Sequence, residues 1–418
     1  MRDEEGLARQ RAGGLRQWGI IGATTAAAAP APVLRLLEVT GIAHPDIPNA
    51  VEALIFGLGI FAAATLLTWA SEVAETEVSA GLALVALALI AVLPEYAVDI
   101  YFAWTAPDTP QNAHFAVANM TGGNRLLVGL AWPAIFLIFY LKTKRKEMPV
   151  IRANSVGVFF LGAATLYSFT IPIRGYLSLI DTGVMFSLFA AYMFISSRSP
   201  PGEERIFVGP AAAIAGLGRR GRRLAVIGIF AYSAGVIFAS AEPFAESLVK
   251  TGRSAGIDEF VLVQWLAPLA SEAPEFILAG LLALRGRHDA GMTILISSKV
   301  NQWTLLIGSL PLAFSISGGT LDPLHFDSRQ SEEVFLTAAQ SMFAVAILVS
   351  LSMGRGEALL LGGLFLSQFF ITDETVRLAY AVIYSVLAVL VLARDIPSFP
   401  RFAGAVKDCV VSPRGGPK

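Results

Sequence analysis

Long apolar segments alternate with short polar ones from about Trp18 to Leu392. Each is long enough, or nearly so, to cross the roughly 30 Å hydrocarbon layer with about 20 helical residues. Outer-membrane β-strands would instead alternate over about ten residues, so the pattern predicts an all-α polytopic membrane protein with about 11–12 spans. We place the spans at 18–37, 50–70, 79–104, 112–141, 150–171, 175–196, 223–249, 258–285, 289–316, 333–353, 357–371 and 376–394. Three residues interrupt the weak first span, Pro30, Pro32 and Arg35, and the eleventh span is short.

Composition agrees with a membrane protein and excludes several other classes. Hydrophobic residues make up 55% of the chain and charged residues 15%, against about 25% charged residues in soluble domains, so a water-soluble enzyme is excluded. The 31 basic and 32 acidic residues nearly balance, so no strongly basic surface for nucleic acid is predicted. The single cysteine, Cys409, excludes a disulfide scaffold and a cysteine-rich metal centre.

Basic residues orient the predicted spans. With the N-terminus in the cytoplasm, 23 of the 31 basic residues fall on the inside and 6, including Arg377, on the outside. Cytoplasmic loops carry an excess of lysine and arginine, so we expect both termini in the cytoplasm and the protein in the plasma (inner) membrane. No cleavable signal is evident, and the tail after Pro400 is expected to be disordered.

Two regions of the chain resemble each other. Span three contains the sequence VLPE, which ends at Glu95, and span eight contains EAPE, which ends at Glu275. Further on, ANMTGGNRLLVG at 118–129 lies over SSKVNQWTLLIG at 297–308. Five spans separate the copies, and an odd number of crossings turns the second copy upside down. The chain is therefore predicted to contain two inverted repeats of five transmembrane helices plus flanking helices.

The repeats give a predicted domain organisation. Residues 1–49 form a cytoplasmic N-terminus and the weak first span, 50–196 the first repeat, 197–222 a cytoplasmic linker, 223–371 the second repeat, and 372–418 the last span and cytoplasmic tail. The linker is interpreted as a solvated connector, with a lipid-headgroup or regulatory contact as the alternative.

Proline and glutamate in each repeat suggest a cation site. Proline removes a backbone donor, so Pro94 and Pro274 are expected to interrupt their helices in mid-membrane, beside Glu95 and Glu275. An intramembrane carboxylate costs about 2.5–3.5 kcal/mol on insertion scales, so it seldom persists without a partner or a task. Two such breaks meeting antiparallel, with their carboxylates roughly 5–10 Å apart, would make an oxygen-lined site for Ca²⁺ or Na⁺. Alternatively, the two glutamates are helix-end residues that pair with basic residues at positions 125 and 299.

These motifs resemble the cation/Ca²⁺ exchanger superfamily, which includes the sodium/calcium exchangers. Its repeats each carry Gly-Thr-Ser-x-Pro-Glu, followed on the next helix by Gly-Ser-Asn-x-x-Asn or Asp. The resemblance implies a ten-helix core with ions bound between spans three, four, eight and nine. By matching positions, it further implies that six residues ligate the ions: Glu95, Glu275, Ser271, Asn119, Ser298 and Gln302. Glu272, which stands within the second motif, adds a further carboxylate to this ligand set.

The sequence also departs from the family pattern. The first Gly-Thr-Ser is replaced by Ile-Ala-Val at 90–92, and the first Asn/Asp position falls on Gly123, next to Asn124. Lys299 stands where the second Gly-Ser-Asn has its asparagine. These changes leave the ion stoichiometry open.

Four residues are candidates for coupling or proton relay: Lys299, Asp99, Asn124 and Arg125. Lys299 is a tethered monovalent cation that could neutralise Glu272 or Glu275 in the empty site and carry a coupling proton; alternatively it pairs permanently with Glu272. Asp99 lies one turn beyond Glu95, which favours either ion entry or an ion pair with Arg125.

The sequence therefore predicts a secondary active cation antiporter, with Ca²⁺ exchanged for Na⁺ or H⁺ by alternating access. The expected partners are inorganic cations and the lipid bilayer, with no organic cofactor and no nucleic acid, and the oligomeric state is open. Alternatives are H⁺-coupled or Na⁺/H⁺ exchange of a different cation, or a passive cation channel. A nucleotide-driven pump is excluded because no predicted inside loop is long enough for a nucleotide-binding domain and no Gly-x-x-x-x-Gly-Lys-Ser/Thr motif occurs.

Overall fold

The computed structural model describes residues 2–42, 46–77, 93–197, 207, 209–369 and 371–411. Helices dominate these residues. They are α1 (Arg2–Ala28), α2 (Pro30–Val39), α3 (Asn49–Glu77), α4 (Leu93–Thr105), α5 (Gln111–Leu126), α6 (Trp132–Thr143), α7 (Ser155–Ser168), α8 (Thr170–Arg174), α9 (Leu179–Ser196), α10 (Pro210–Ala215), α11 (Arg219–Ala255), α12 (Glu259–Leu284), α13 (His288–Asn301), α14 (Ile307–Gly318), α15 (Ser328–Leu348), α16 (Arg355–Gln368), α17 (Glu374–Arg394) and α18 (Phe399–Val411). Single π-helical turns cover Leu127–Ala131 and Gln302–Leu306, and 3₁₀ turns cover Arg152–Asn154 and Ile396–Ser398. The strands are β1 (Glu147–Pro149), β2 (Tyr176–Leu177), β3 (Leu324–His325) and β4 (Ser352–Gly354).

Nine helical segments among the described residues are long and apolar enough to cross a membrane. They are Gly14–Val39, Asn49–Ala74, Gln111–Thr143, Arg152–Arg174, Leu179–Ser196, Arg219–Ala255, Glu259–Leu284, Ser328–Leu348 and Glu374–Arg394. Of the other predicted spans, the third is described only from residue 93, the ninth runs as helix from 288 to 318 with a polar middle, and the eleventh is the short α16. The prediction of an all-α, multi-pass integral membrane protein is confirmed.

The chain divides into two compact units. The first comprises Met1–Val98, Pro201–Leu262 and Ala270–Pro274, and the second comprises Asp99–Pro200, Val263–Leu269 and Glu275–Lys418. In the first unit α3 packs along α11, and α1 and α2 pack against α3. In the second unit the buried helix α15 packs against α17, α7 and α5. Two short antiparallel pairs, β1 with β4 and β2 with β3, tie together connections in the second unit.

Part of the predicted linker is folded. Helix α10 begins at a proline in its first turn, a favourable position, and places Ala211 and Ile214 wholly inside an apolar cluster with Leu66 and Val73 of α3. The interpretation of 197–222 as a solvated connector is therefore wrong for residues 210–215. The alanines and the isoleucine of α10 give this short helix an apolar face to bury.

The prolines do not interrupt their helices where the structure describes both sides. Helix α12 continues through Pro274, and α11 continues through Pro243. The predicted break at Pro274 is therefore wrong. A proline removes one donor, and neighbouring helices, side chains and local adjustments satisfy the freed carbonyl in membrane helices.

The expected disorder after Pro400 is also wrong for residues 401–411, and residues 412–418 lie outside the described part of the chain. Helix α18 continues to residue 411 and packs against α7 and the 3₁₀ turn at 152–154. Phe402, Ala405, Val406 and Cys409 recur at positions i, i+3, i+4 and i+7, which is the pattern of an amphipathic helix. Ala405 is buried in this contact.

Candidate cation-binding site

The polar segments of the two repeats share an unusual backbone feature. In the first, α5 carries Asn119, Asn124 and Arg125 and passes into the π turn at 127–131. In the second, α13 carries Ser298 and Lys299 and passes into the π turn that begins at residue 302. Such turns are rare and occur frequently at functional sites. No pattern of hydrophobic or polar residues predicts these π turns.

Two hydrogen-bonded groups in the second unit bring predicted site residues together. The Asp99 carboxylate bonds to the Asn119 side chain. The Glu275 carboxylate bonds to Ser298, and the Gln302 amide also donates to the Ser298 hydroxyl at 3.4 Å. Five of the sequence-predicted residues therefore meet in these two groups.

Each group leaves buried oxygen atoms unsatisfied. Asp99 Oδ1, Asn119 Oδ1, Glu275 Oε2 and Gln302 Oε1 are buried and have no hydrogen-bond partner among the described residues. A buried acceptor left in this state costs about 1–3 kcal/mol, whereas a hard cation takes carboxylate and amide oxygens as ligands. No group of three or more His, Cys, Asp and Glu side chains that could hold a metal occurs in the described part of the chain. A cation held here would therefore have mixed carboxylate and amide ligands.

Lys299 connects the two polar segments. Its wholly buried ammonium donates to Asn124 Oδ1 at 2.7 Å and to the Asn124 backbone carbonyl at 3.3 Å. The Asn124 amide nitrogen donates to the Met120 carbonyl at 2.8 Å, which orients the side-chain oxygen. The ammonium also lies over the Trp303 ring, 4.4 Å from its centroid. Neutralisation of Glu272 or Glu275 by Lys299 stays a prediction.

Arg125 pairs with a carboxylate that lies far from it in the sequence. Its Nη1 donates to Glu333 Oε2 at 2.6 Å, and its guanidinium lies 5.1 Å from the centroid of the Trp265 ring. Asp99 bonds instead to Asn119. The alternative of an ion pair between Asp99 and Arg125 is therefore wrong, because Glu333 supplies the carboxylate.

Three further residues of the predicted site belong to the first unit. Glu95 lies in the first turn of α4, and Ser271 and Glu272 lie at the middle of α12. All three are buried. The Ile-Ala-Val segment at 90–92, which replaces the first Gly-Thr-Ser, lies outside the described residues.

Close helix packing supports the polar segment of the first repeat. A side chain on Gly122 would overlap the backbone carbonyl oxygen of Gln264 in α12. Helices α5 and α12 therefore approach so closely at this point, three residues beyond Asn119, that only glycine fits at position 122. Position 122 was identified within the repeat but not as a packing position, since its partner lies far away in the sequence.

The fold and the site define a class of protein, a polytopic membrane protein with two repeats and buried carboxylate and amide side chains. The family model for sodium/calcium exchanger proteins matches residues 50–198 and 225–372. The chain belongs to this family, which is a family of transporters.

Solved structures show the same fold. The structure described as "Crystal Structure of H+/Ca2+ Exchanger CAX" is 40% identical, with a TM-score of 0.88 over 95% of this chain and 99% of that one. Native YfkE is 17% identical, with a TM-score of 0.59 over 88% of this chain and 99% of that one. A structure of the sodium-calcium exchanger NCX_Mj is 14% identical, with a TM-score of 0.52 over 78% and 99%. A comparison with curated proteins gives no match.

Proposed function

We propose that the protein is a secondary active antiporter that exports Ca²⁺ in exchange for H⁺ or Na⁺. It acts in the plasma (inner) membrane with both termini in the cytoplasm, as the distribution of basic residues indicates. Family membership and the 40% identity to a protein described as an H⁺/Ca²⁺ exchanger support this proposal.

One observation carries the choice of a cation as substrate. Four buried oxygens, on Asp99, Asn119, Glu275 and Gln302, have no hydrogen-bond partner among the described residues. All are carboxylate or side-chain amide oxygens, which a hard cation satisfies and an anion does not. The transported ion would supply the missing partner.

The proposed ligands divide into principal and supporting groups. Glu95 and Glu275 are the principal carboxylates. The supporting oxygens come from Ser271, Glu272, Asn119, Ser298 and Gln302. Coupling follows from competition, because the site holds either the exported cation or the driving ion and the occupant biases the conformational equilibrium.

Lys299 favours H⁺ as the driving ion. Its ammonium rests on the neutral oxygens of Asn124 and is wholly buried. Buried lysines shift their protonation equilibrium readily, so a proton can leave or join this amine during the cycle. We therefore propose that H⁺ drives exchange at least as well as Na⁺.

The experiment is radioactive Ca²⁺ uptake into proteoliposomes, with pH and Na⁺ gradients imposed separately. Uptake that depends on an inside-acid pH gradient supports H⁺ exchange, and uptake that depends only on internal Na⁺ supports Na⁺ exchange. Uptake that follows the Ca²⁺ gradient alone, whatever the counter-ion gradient, would show a passive channel instead. Empty liposomes and the Glu275→Gln variant are the controls.

A further inference from the structure

A second buried charge network lies outside the proposed ligand set. Arg125 donates to Glu333 Oε2 at 2.6 Å, and Arg377 pairs with the other oxygen of the same carboxylate. Arg377 Nε also lies 3.2 Å from Glu332 Oε1. The four side chains are at least nine-tenths buried, and they join α5, α15 and α17.

The chemistry of this network argues against a proton relay. Arginine stays protonated in proteins, so two guanidinium groups face two carboxylates and their charges balance. A proton cannot hop through such a guanidinium. Nor is stability a sufficient reason for the network, since apolar side chains of similar volume often replace buried ion pairs without loss of stability. The role that remains for this network is to hold α5, α15 and α17 in one particular arrangement.

The geometry that the network holds includes the Lys299 contact. Arg125 directly follows Asn124, the residue that binds the Lys299 ammonium. Helix α15 contacts residue 125 twice: Glu333 binds its guanidinium, and Gln340 Nε2 donates to its backbone carbonyl at 3.3 Å. These contacts fall two residues before the helix passes into its π turn, where the backbone has an alternative hydrogen-bond register.

Arg377 brings α17, the last predicted span, into this arrangement. It lies in the first turn of α17, beyond residue 372, where the match to the family model ends. Arg377 binds one oxygen of Glu333 while Arg125 binds the other, so it fixes the direction in which Glu333 presents its carboxylate to Arg125.

We propose that Arg377 is a positioning residue for cation binding. By holding Glu333 it fixes Arg125, and through the adjoining residue it sets the Asn124 oxygen that binds Lys299. Helix α17 is thereby part of the transport machinery. This inference rests on the proposed function only in taking Ca²⁺ as the bound cation.

The test is equilibrium binding of radioactive Ca²⁺ to purified protein in detergent, expressed per folded molecule. Removing an outer-shell partner of a metal site lowers affinity about 10–100-fold, so we expect Arg377→Met to raise the Kd about tenfold or more. Arg377→Lys should recover most of this loss. The matched control is Arg394→Met, because Arg394 lies on the same helix and is also ion-paired, with Glu357 and Asp395, but is exposed. Wild-type Kd in Arg377→Met, or an equal loss in Arg394→Met, would overturn the proposal.

Two further variants separate positioning from stability. The first is a charge-free variant that combines Arg125→Met, Glu332→Leu, Glu333→Leu and Arg377→Met. We expect it to melt near the wild-type temperature but to bind Ca²⁺ as weakly as Arg377→Met.

The second is a double-mutant cycle with Lys299. In a Lys299→Met background, Arg377→Met should raise the Kd for Ca²⁺ much less than it does in wild type, because the effects of interacting residues are not additive. Wild-type affinity in the charge-free variant, or full additivity in the cycle, would contradict the proposal. Wild-type protein that binds Ca²⁺ but shows no gradient-driven uptake would refute the proposed antiport alone.

Discussion

The polar segments of the two repeats each bury one basic side chain but hold it differently. Arg125, in the first, meets the carboxylate of Glu333. Lys299, in the second, meets the amide and carbonyl oxygens of Asn124. A guanidinium bonded to a carboxylate is a permanent charge, whereas a buried ammonium can lose its proton. On the proposed function, we therefore expect the first repeat to supply a fixed support and the second to supply the exchangeable charge.

The largest expected effect comes from removing a principal carboxylate. Hard cations take carboxylate oxygens as ligands, and a neutral amide of the same shape supplies only one weaker ligand oxygen, so we expect Glu275→Gln and Glu95→Gln each to abolish Ca²⁺ flux while expression and melting temperature stay near wild type. Glu246→Gln is the control, since this exposed carboxylate pairs with Lys250. Flux above half of the wild-type value in both variants would remove these residues from the site.

The second prediction tests the contrast between the two basic residues directly. Lys299→Ala should flatten the pH dependence of Ca²⁺ flux, because the titrating amine is gone. Arg125→Met should weaken Ca²⁺ binding but leave the shape of the pH profile unchanged, because the guanidinium does not titrate. The measurement is Ca²⁺ flux at a series of pH values from about 6 to about 9. An unchanged profile in Lys299→Ala, with flux that requires a Na⁺ gradient, would show that Na⁺ drives exchange.

A smaller effect is expected at the close contact beneath the first polar segment. Gly122→Ala places a methyl group against the Gln264 carbonyl, and such overpacking costs about 1–3 kcal/mol. Thermal unfolding in detergent measures the change. Gly280→Ala is the matched control, because Gly280 lies on α12 with nothing within 4 Å of an added methyl group. Equal melting temperatures for the two variants would contradict the packing interpretation.

The smallest effect is expected in the first unit. Arg35 of α2 pairs with Glu242 of α11, and both side chains are partly exposed. Exposed ion pairs contribute about 0–1 kcal/mol, so Glu242→Gln should leave stability and Ca²⁺ flux near wild type. A large loss of flux at unchanged stability would instead assign Glu242 a role on the ion path.

Local patterns in the sequence predicted much of the architecture, and long-range pairing limited the rest. Apolar runs indicated the spans because burial in lipid depends on each segment's own composition. The partner of Arg125 lies 208 residues away, and no local pattern gives that distance. Arg377 was placed in an outside loop because it stands at a span end, yet it is buried. The helical pattern from Phe402 to Cys409 was visible, but the polar composition of the tail obscured it.

The most direct test of the account is whether the protein concentrates Ca²⁺ against its own gradient. Proteoliposomes with an acidic interior would receive equal Ca²⁺ inside and outside, and radioactive uptake would be followed before and after a protonophore is added. The account predicts net accumulation that collapses with the pH gradient and is absent in Glu275→Gln. Equilibration of Ca²⁺ without accumulation, under a pH gradient and equally under a Na⁺ gradient, would contradict coupled antiport.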